Sequence, residues 1–140
     1  MKALTERPAD PDDRDAVIEH NMRTQLVFGS PAFPMTPDEL RSYCERAYDR
    51  CYCPDGSTRQ MMAVVTDTTR PDRLAGIEVP FLVLHGRDDP LIPLACGEDT
   101  AERAGVPIVV IDGMGHDVTV ANSGPIADAL IGFARAQAAS

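Results

Sequence analysis

Two unbroken apolar runs, Phe81-Leu-Val-Leu84 and Ile108-Val-Val-Ile111, limit what this chain can fold into. A strand with one wet face alternates apolar and polar side chains. A run without alternation belongs to a strand covered on both faces, as in parallel α/β sheets. Each run ends in a polar turn: His85-Gly-Arg-Asp-Asp-Pro90 after the first, Asp112-Gly-Met-Gly-His-Asp117 after the second. Ligand and catalytic groups of open α/β sheets gather just past the carboxyl ends of strands. Asp88, Asp89 and His116 therefore stand where chemistry is expected. Strands are predicted over Phe81–His85 and Ile108–Asp112, with a helix over Leu94–Ala104 between them and Gly105 as its left-handed stop. Ser123-Gly124-Pro125 opens a last helix whose Ile126, Leu130 and Phe133 should face the core. Strand-helix-strand-helix order predicts parallel strands joined by a right-handed crossover.

The chain before these runs reads as helical. After a polar lead-in from Met1 to about Pro11, a helix is expected from about Asp12 to Val27, with acidic residues in its first turn. Ile18, Met22 and Leu26 recur at four-residue spacing on one face, and Phe28-Gly29-Ser30-Pro31 stops the helix. Thr36-Pro37-Asp38-Glu39 has the form of a capping box with proline in the first turn. The stripe Leu40, Cys44, Ala47, Tyr48 and Cys51 follows, until Cys53-Pro54-Asp55-Gly56 breaks it. A third helix is predicted over Thr58–Val65, carrying Met61, Met62, Val64 and Val65.

A chain of 140 residues holds one domain at most and can bury a modest core. Its 44% hydrophobic and 25% charged residues are ordinary for a soluble globular chain. A formal charge of −9 argues against nucleic acid or an anionic membrane as partner. No run reaches membrane-spanning length and the N-terminus lacks the apolar core of a signal peptide, so the cytoplasm is the expected compartment. Thiols stay reduced there, which predicts free Cys44, Cys51, Cys53 and Cys96. These cysteines and His20 contain no C-x-x-C pair, and neither a metal site nor a cofactor is expected.

Pro80-Phe-Leu-Val-Leu-His-Gly-Arg-Asp-Asp-Pro-Leu-Ile-Pro93, with Gly113-Met-Gly-His-Asp117 after it, resembles the C-terminal lobe of the α/β-hydrolase superfamily, of esterase/lipase type. The resemblance is closest over about Arg70 to Ala136. It implies a partial α/β-hydrolase fold: a helical cap-like segment over 1–70, then a C-terminal lobe over 71–140. In that family the seventh strand ends in Gly-x-x-Asp, which orients a catalytic histidine after the eighth. Counted from Gly86, this implies Asp89 as the acid and His116 as the base, with Asp88 the second choice. A small ester substrate is implied, although dehalogenation, peroxidation and C–C hydrolysis run on the same scaffold. A cap would let Phe33, Tyr43, Tyr48, Met61 and Met62 line a pocket; the plainer reading is that they pack the helices together.

The family's nucleophile lies in a Gly-x-Ser-x-Gly elbow, and no such motif occurs in these residues. Ser30 and Ser57 follow glycines but lack the second glycine and a preceding strand. Cys96 sits in the predicted crossover helix, an unsuitable place for a substitute. His85 reads as structural, Asp88 as a turn carboxylate, and Asp117 has no assigned role. Two parallel strands are also too few for an independent sheet. Three explanations stay open. The chain is a fragment of a longer gene product and inactive alone; it pairs through an exposed strand edge with a missing N-terminal lobe, another polypeptide or a second copy; or it has rearranged into a small domain of other use.

Overall fold

The computed structural model describes residues 6–139. The first five residues of the expected lead-in lie outside them. Where length suggested one domain, the chain divides into two compact units: one runs up to Val27 and includes Met35–Thr68, the other holds Phe28–Pro34 and the chain from Thr69 on. The sequence division at residue 70 does not separate out Phe28–Pro34.

The first unit is helical: α1 (Arg14–Phe28, whose last residue belongs to the second unit), α2 (Pro37–Cys51) and α3 (Pro54–Thr66). Asp13 starts α1 by accepting from the backbone N–H of Asp15 at 2.9 Å and of Ala16 at 3.4 Å. The capping box of α2 forms as written, with Glu39 N–H donating to Thr36 Oγ1 at 3.3 Å and Thr36 N–H to Glu39 Oε2 at 2.8 Å. Ile18, Leu40 and Cys44 make the core, flanked by Met22, Met35 and Tyr48. Leu26 is 71% exposed, unlike the expectation. Each four-residue step drifts about 40° around a helix of 3.6 residues per turn, so the 18-22-26 stripe leaves the core and Val17 fills the other side. Ala47 and Cys51 are exposed, although they lie on the same face as Leu40 and Cys44. Arg14 binds both carboxylate oxygens of Asp49 and lies over the Tyr48 ring, which stacks on Tyr52.

The break before α3 is narrower than expected. Pro54 takes the first helical position, where its missing N–H costs nothing, so only Tyr52-Cys53 interrupts the helices. Met61, Met62, Val64 and Val65 are all exposed and α3 buries no residue, which corrects the packing role expected of the two methionines.

The second unit contains α4 (Arg70–Leu74), β1 (Val83–Gly86), α5 (Leu94–Ala104), β2 (Ile108–Ile111) and α6 (Ser123–Ala138). The strands are parallel, in register from Val83 beside Ile108 to Gly86 beside Ile111. β1 starts later than the apolar run because ladder bonding extends only as far as its one neighbour, beginning with Val83 N–H to Pro107 C=O at 3.1 Å. α5 has the predicted limits. Gly105, at φ 65°, ends it with its N–H on Glu102 C=O and Val106 N–H on Ala101 C=O, a Schellman closure. Leu130 is 52% exposed, against the expectation, while Ile126 and Phe133 of the same expected face are half-buried. The stripe is only partly covered where the described residues supply two strands. Cys44 is buried, the other three cysteines are exposed, and all four are free. No helix among the described residues is long and apolar enough to cross a membrane.

Candidate active site

The loops after β1 and β2 lie directly on one another. Arg87 N–H donates to Ile111 C=O at 3.0 Å and Asp88 N–H to Met114 C=O at 3.0 Å. The Asp88 carboxylate accepts from Gly113 N–H at 2.8 Å, so it braces the second loop as a turn carboxylate. Arg87 also pairs with Asp112 across the two loops. This approach requires glycine at 86: a Cβ there would run into the carbonyl oxygens of Met114 and Gly115.

The same lacing brings Asp89 and His116 together, with Oδ2 and Nδ1 2.7 Å apart. The other carboxylate oxygen, Oδ1, accepts from the backbone N–H groups of Leu91 at 2.8 Å and Ile92 at 2.9 Å. Burial disfavours the charged carboxylate, but the donors on Ile92, His116 and Leu91 outweigh it and hold Asp89 below its ordinary range. An ionised carboxylate only accepts, so Nδ1 carries the proton and Nε2 is the basic nitrogen. The Asp89 side chain is 5% exposed and that of His116 44%, so a fixed, dry acid holds an imidazole that solvent can reach. Among the described residues Nε2 makes no hydrogen bond. The His116 backbone N–H donates to Phe28 C=O at 2.8 Å.

The other candidates are placed elsewhere or engaged otherwise. His85 Nδ1 lies 2.8 Å from Gly86 C=O, and its ring packs against Gly97 of α5, where a Cβ would come within 2.6 Å. Cys96 is exposed on α5. Ser57 lies within α3, which follows no strand. Ser30 is buried, and its hydroxyl donates to the Asp117 carboxylate while accepting from Gly115 N–H at 2.9 Å and the Asn122 amide at 3.2 Å. One proton and two lone pairs are all a serine hydroxyl has, and all are committed. Ser30 is thus not poised as a nucleophile. Asp117, without an assigned role in sequence, is its partner. No local sequence pattern marks Asn122 as the third member of this cluster.

A model of the alpha/beta hydrolase family matches residues 3–129, and the chain belongs to that family. Among solved structures, it is similar in fold to a His-tagged serine hydrolase involved in carbazole degradation, the CarC enzyme, with a TM-score of 0.58 and 18% identity. That likeness covers 90% of this chain and 48% of the other, so the chain spans about half the length of the hydrolase it matches. No curated protein matches the sequence.

Proposed function

We propose that this chain carries the acid–base half of an ester hydrolase site, with Asp89 as the orienting acid and His116 as the proton carrier. The observation that carries the reading is the 2.7 Å contact between nearly buried Asp89 and partly exposed His116. In the cycle, Nε2 takes the proton of a serine hydroxyl as that oxygen attacks the ester carbonyl. It returns the proton to the departing alcohol, then repeats both steps with water to release the acid. Asp89 keeps the tautomer and stabilises the imidazolium formed at each step. The serine and the oxyanion-hole donors come from outside these 140 residues, since no elbow motif occurs in them and Ser30 is fully engaged. In this reading the helices of the first unit are cap-like.

A second reading, that the chain completes the sheet of another polypeptide or of a second copy, is favoured by its exposed apolar surface. Val79, Val118, Val120, Leu130 and Ile131 are all exposed in the unit that holds the two-stranded sheet. A strictly monomeric chain in light scattering, at all concentrations and unchanged by Leu130→Glu, would rule out the self-pairing form.

Hydrolysis of short-chain p-nitrophenyl esters by the purified chain, beside His116→Ala, tests the main reading. The expected result is turnover no faster than the same concentration of free imidazole gives. Rates far above that level and abolished by His116→Ala would mean that a complete site assembles from this chain.

A further inference from the structure

The three buried polar side chains among the described residues, Ser30, Asp117 and Asn122, meet at one place behind the histidine loop. Ser30 Oγ ties to both neighbours of His116: it accepts from Gly115 N–H at 2.9 Å and donates to the Asp117 carboxylate. Asn122 closes the cluster, donating to Asp117 C=O at 2.8 Å and to Ser30 Oγ at 3.2 Å, while its Oδ1 accepts from Thr119 N–H at 2.8 Å. The backbone around Ser30 grips the same loop. Phe28 C=O accepts from His116 N–H at 2.8 Å, and Ala32 N–H donates to Gly113 C=O at 3.0 Å. Contact is close enough that a Cβ at Gly115 would collide with the carbonyls of Phe28 and Gly29.

We propose that Ser30 is a positioning residue, whose hydroxyl fixes the Gly115–Asp117 backbone and thereby seats the His116 imidazole against Asp89. The proposal rests on the reading of Asp89 and His116 as an acid–base pair. Without the hydroxyl, Gly115 N–H loses its acceptor and the buried Asp117 carboxylate loses its O–H donor, both uncompensated in a dry site. The loop relieves this by moving. A displacement on the order of 1 Å is enough to spoil a catalytic constellation, and it would undo the Asp89–His116 contact. Ser30 touches no reacting atom; it acts through the backbone of the loop.

The readout is the tautomer of neutral His116, followed by 15N NMR of the full chain. Wild type is expected to hold Nδ1–H. Ser30→Ala should turn Nε2–H, the form an unheld imidazole prefers in water, from the minor into the major species. Asp117→Asn keeps an acceptor for the serine hydroxyl and should keep Nδ1–H. Leu40→Ala, in the core of the other unit, should lower the melting temperature without touching the tautomer, which separates positioning from general stability. If Ser30→Ala does not fold, Ser30→Cys preserves the shape with a weaker donor and should move the ratio the same way by less. Nδ1–H retained in the folded Ser30 variants overturns the proposal and leaves the acid–base reading standing. Wild type without Nδ1–H at His116 overturns the acid–base reading, and the proposal with it.

Discussion

At the scale of single residues, Asp89 serves two purposes with its two oxygens. Oδ1 closes the turn through Leu91 and Ile92, and Oδ2 holds His116. Because its folded-state pKa is depressed, ionised Asp89 stabilises the fold at neutral pH. That contribution is complete above the unfolded carboxylate pKa of about 3.9 and is lost as pH falls through the lower folded value. Asp89→Asn should therefore melt below wild type at pH 7, and the gap should close as the pH drops past that window. A gap that stays constant from pH 7 to pH 2 would mean the carboxylate charge contributes nothing. Asp89 and His116 stand out as candidates in sequence because each follows an apolar run at short, regular spacing. Ser30 does not. Its partners Gly115 and Asn122 lie 85 and 92 residues away, and Gly-Ser-Pro reads as an ordinary helix stop.

At the scale of elements, the ends of helices follow local chemistry, and the faces of helices do not. The Thr36–Glu39 box and the Gly105 closure form as expected because their hydrogen bonds join near neighbours. The faces of α3 and α6 depend on what lies opposite, which composition and spacing do not contain: the apolar residues of α3 are exposed, and Leu130 and Ile131 of α6 are too. Strand length is another long-range property: the apolar run from Phe81 bonds as a strand only where Ile108–Ile111 runs beside it. Gly86 is the element-level hinge of the site, since it lets the two post-strand loops touch. Gly86→Ala should cost about 1–3 kcal/mol, the usual penalty of overpacking. Gly124→Ala, where a Cβ meets nothing within 4 Å, serves as the control. Thermal denaturation decides: equal melting of Gly86→Ala and wild type would show that the loops do not need this close approach.

At the scale of the whole molecule, the chain belongs to the alpha/beta hydrolase family and spans about half the length of the hydrolase it matches. The two parallel strands, the exposed apolar side chains and the fully hydrogen-bonded Ser30 hydroxyl are the features on which the proposed acid–base half-site rests. The formal charge of −9 adds mutual repulsion between copies, which weighs against loose self-association and leaves specific pairing of apolar surfaces as the route to an assembly. The most direct test is reaction of the purified 140-residue chain with a fluorophosphonate, read by intact mass. A serine activated by His116 would capture the phosphonyl group. The account predicts an unmodified chain, Ser30 and Ser57 included. A single adduct on a serine, absent from His116→Ala, would contradict it.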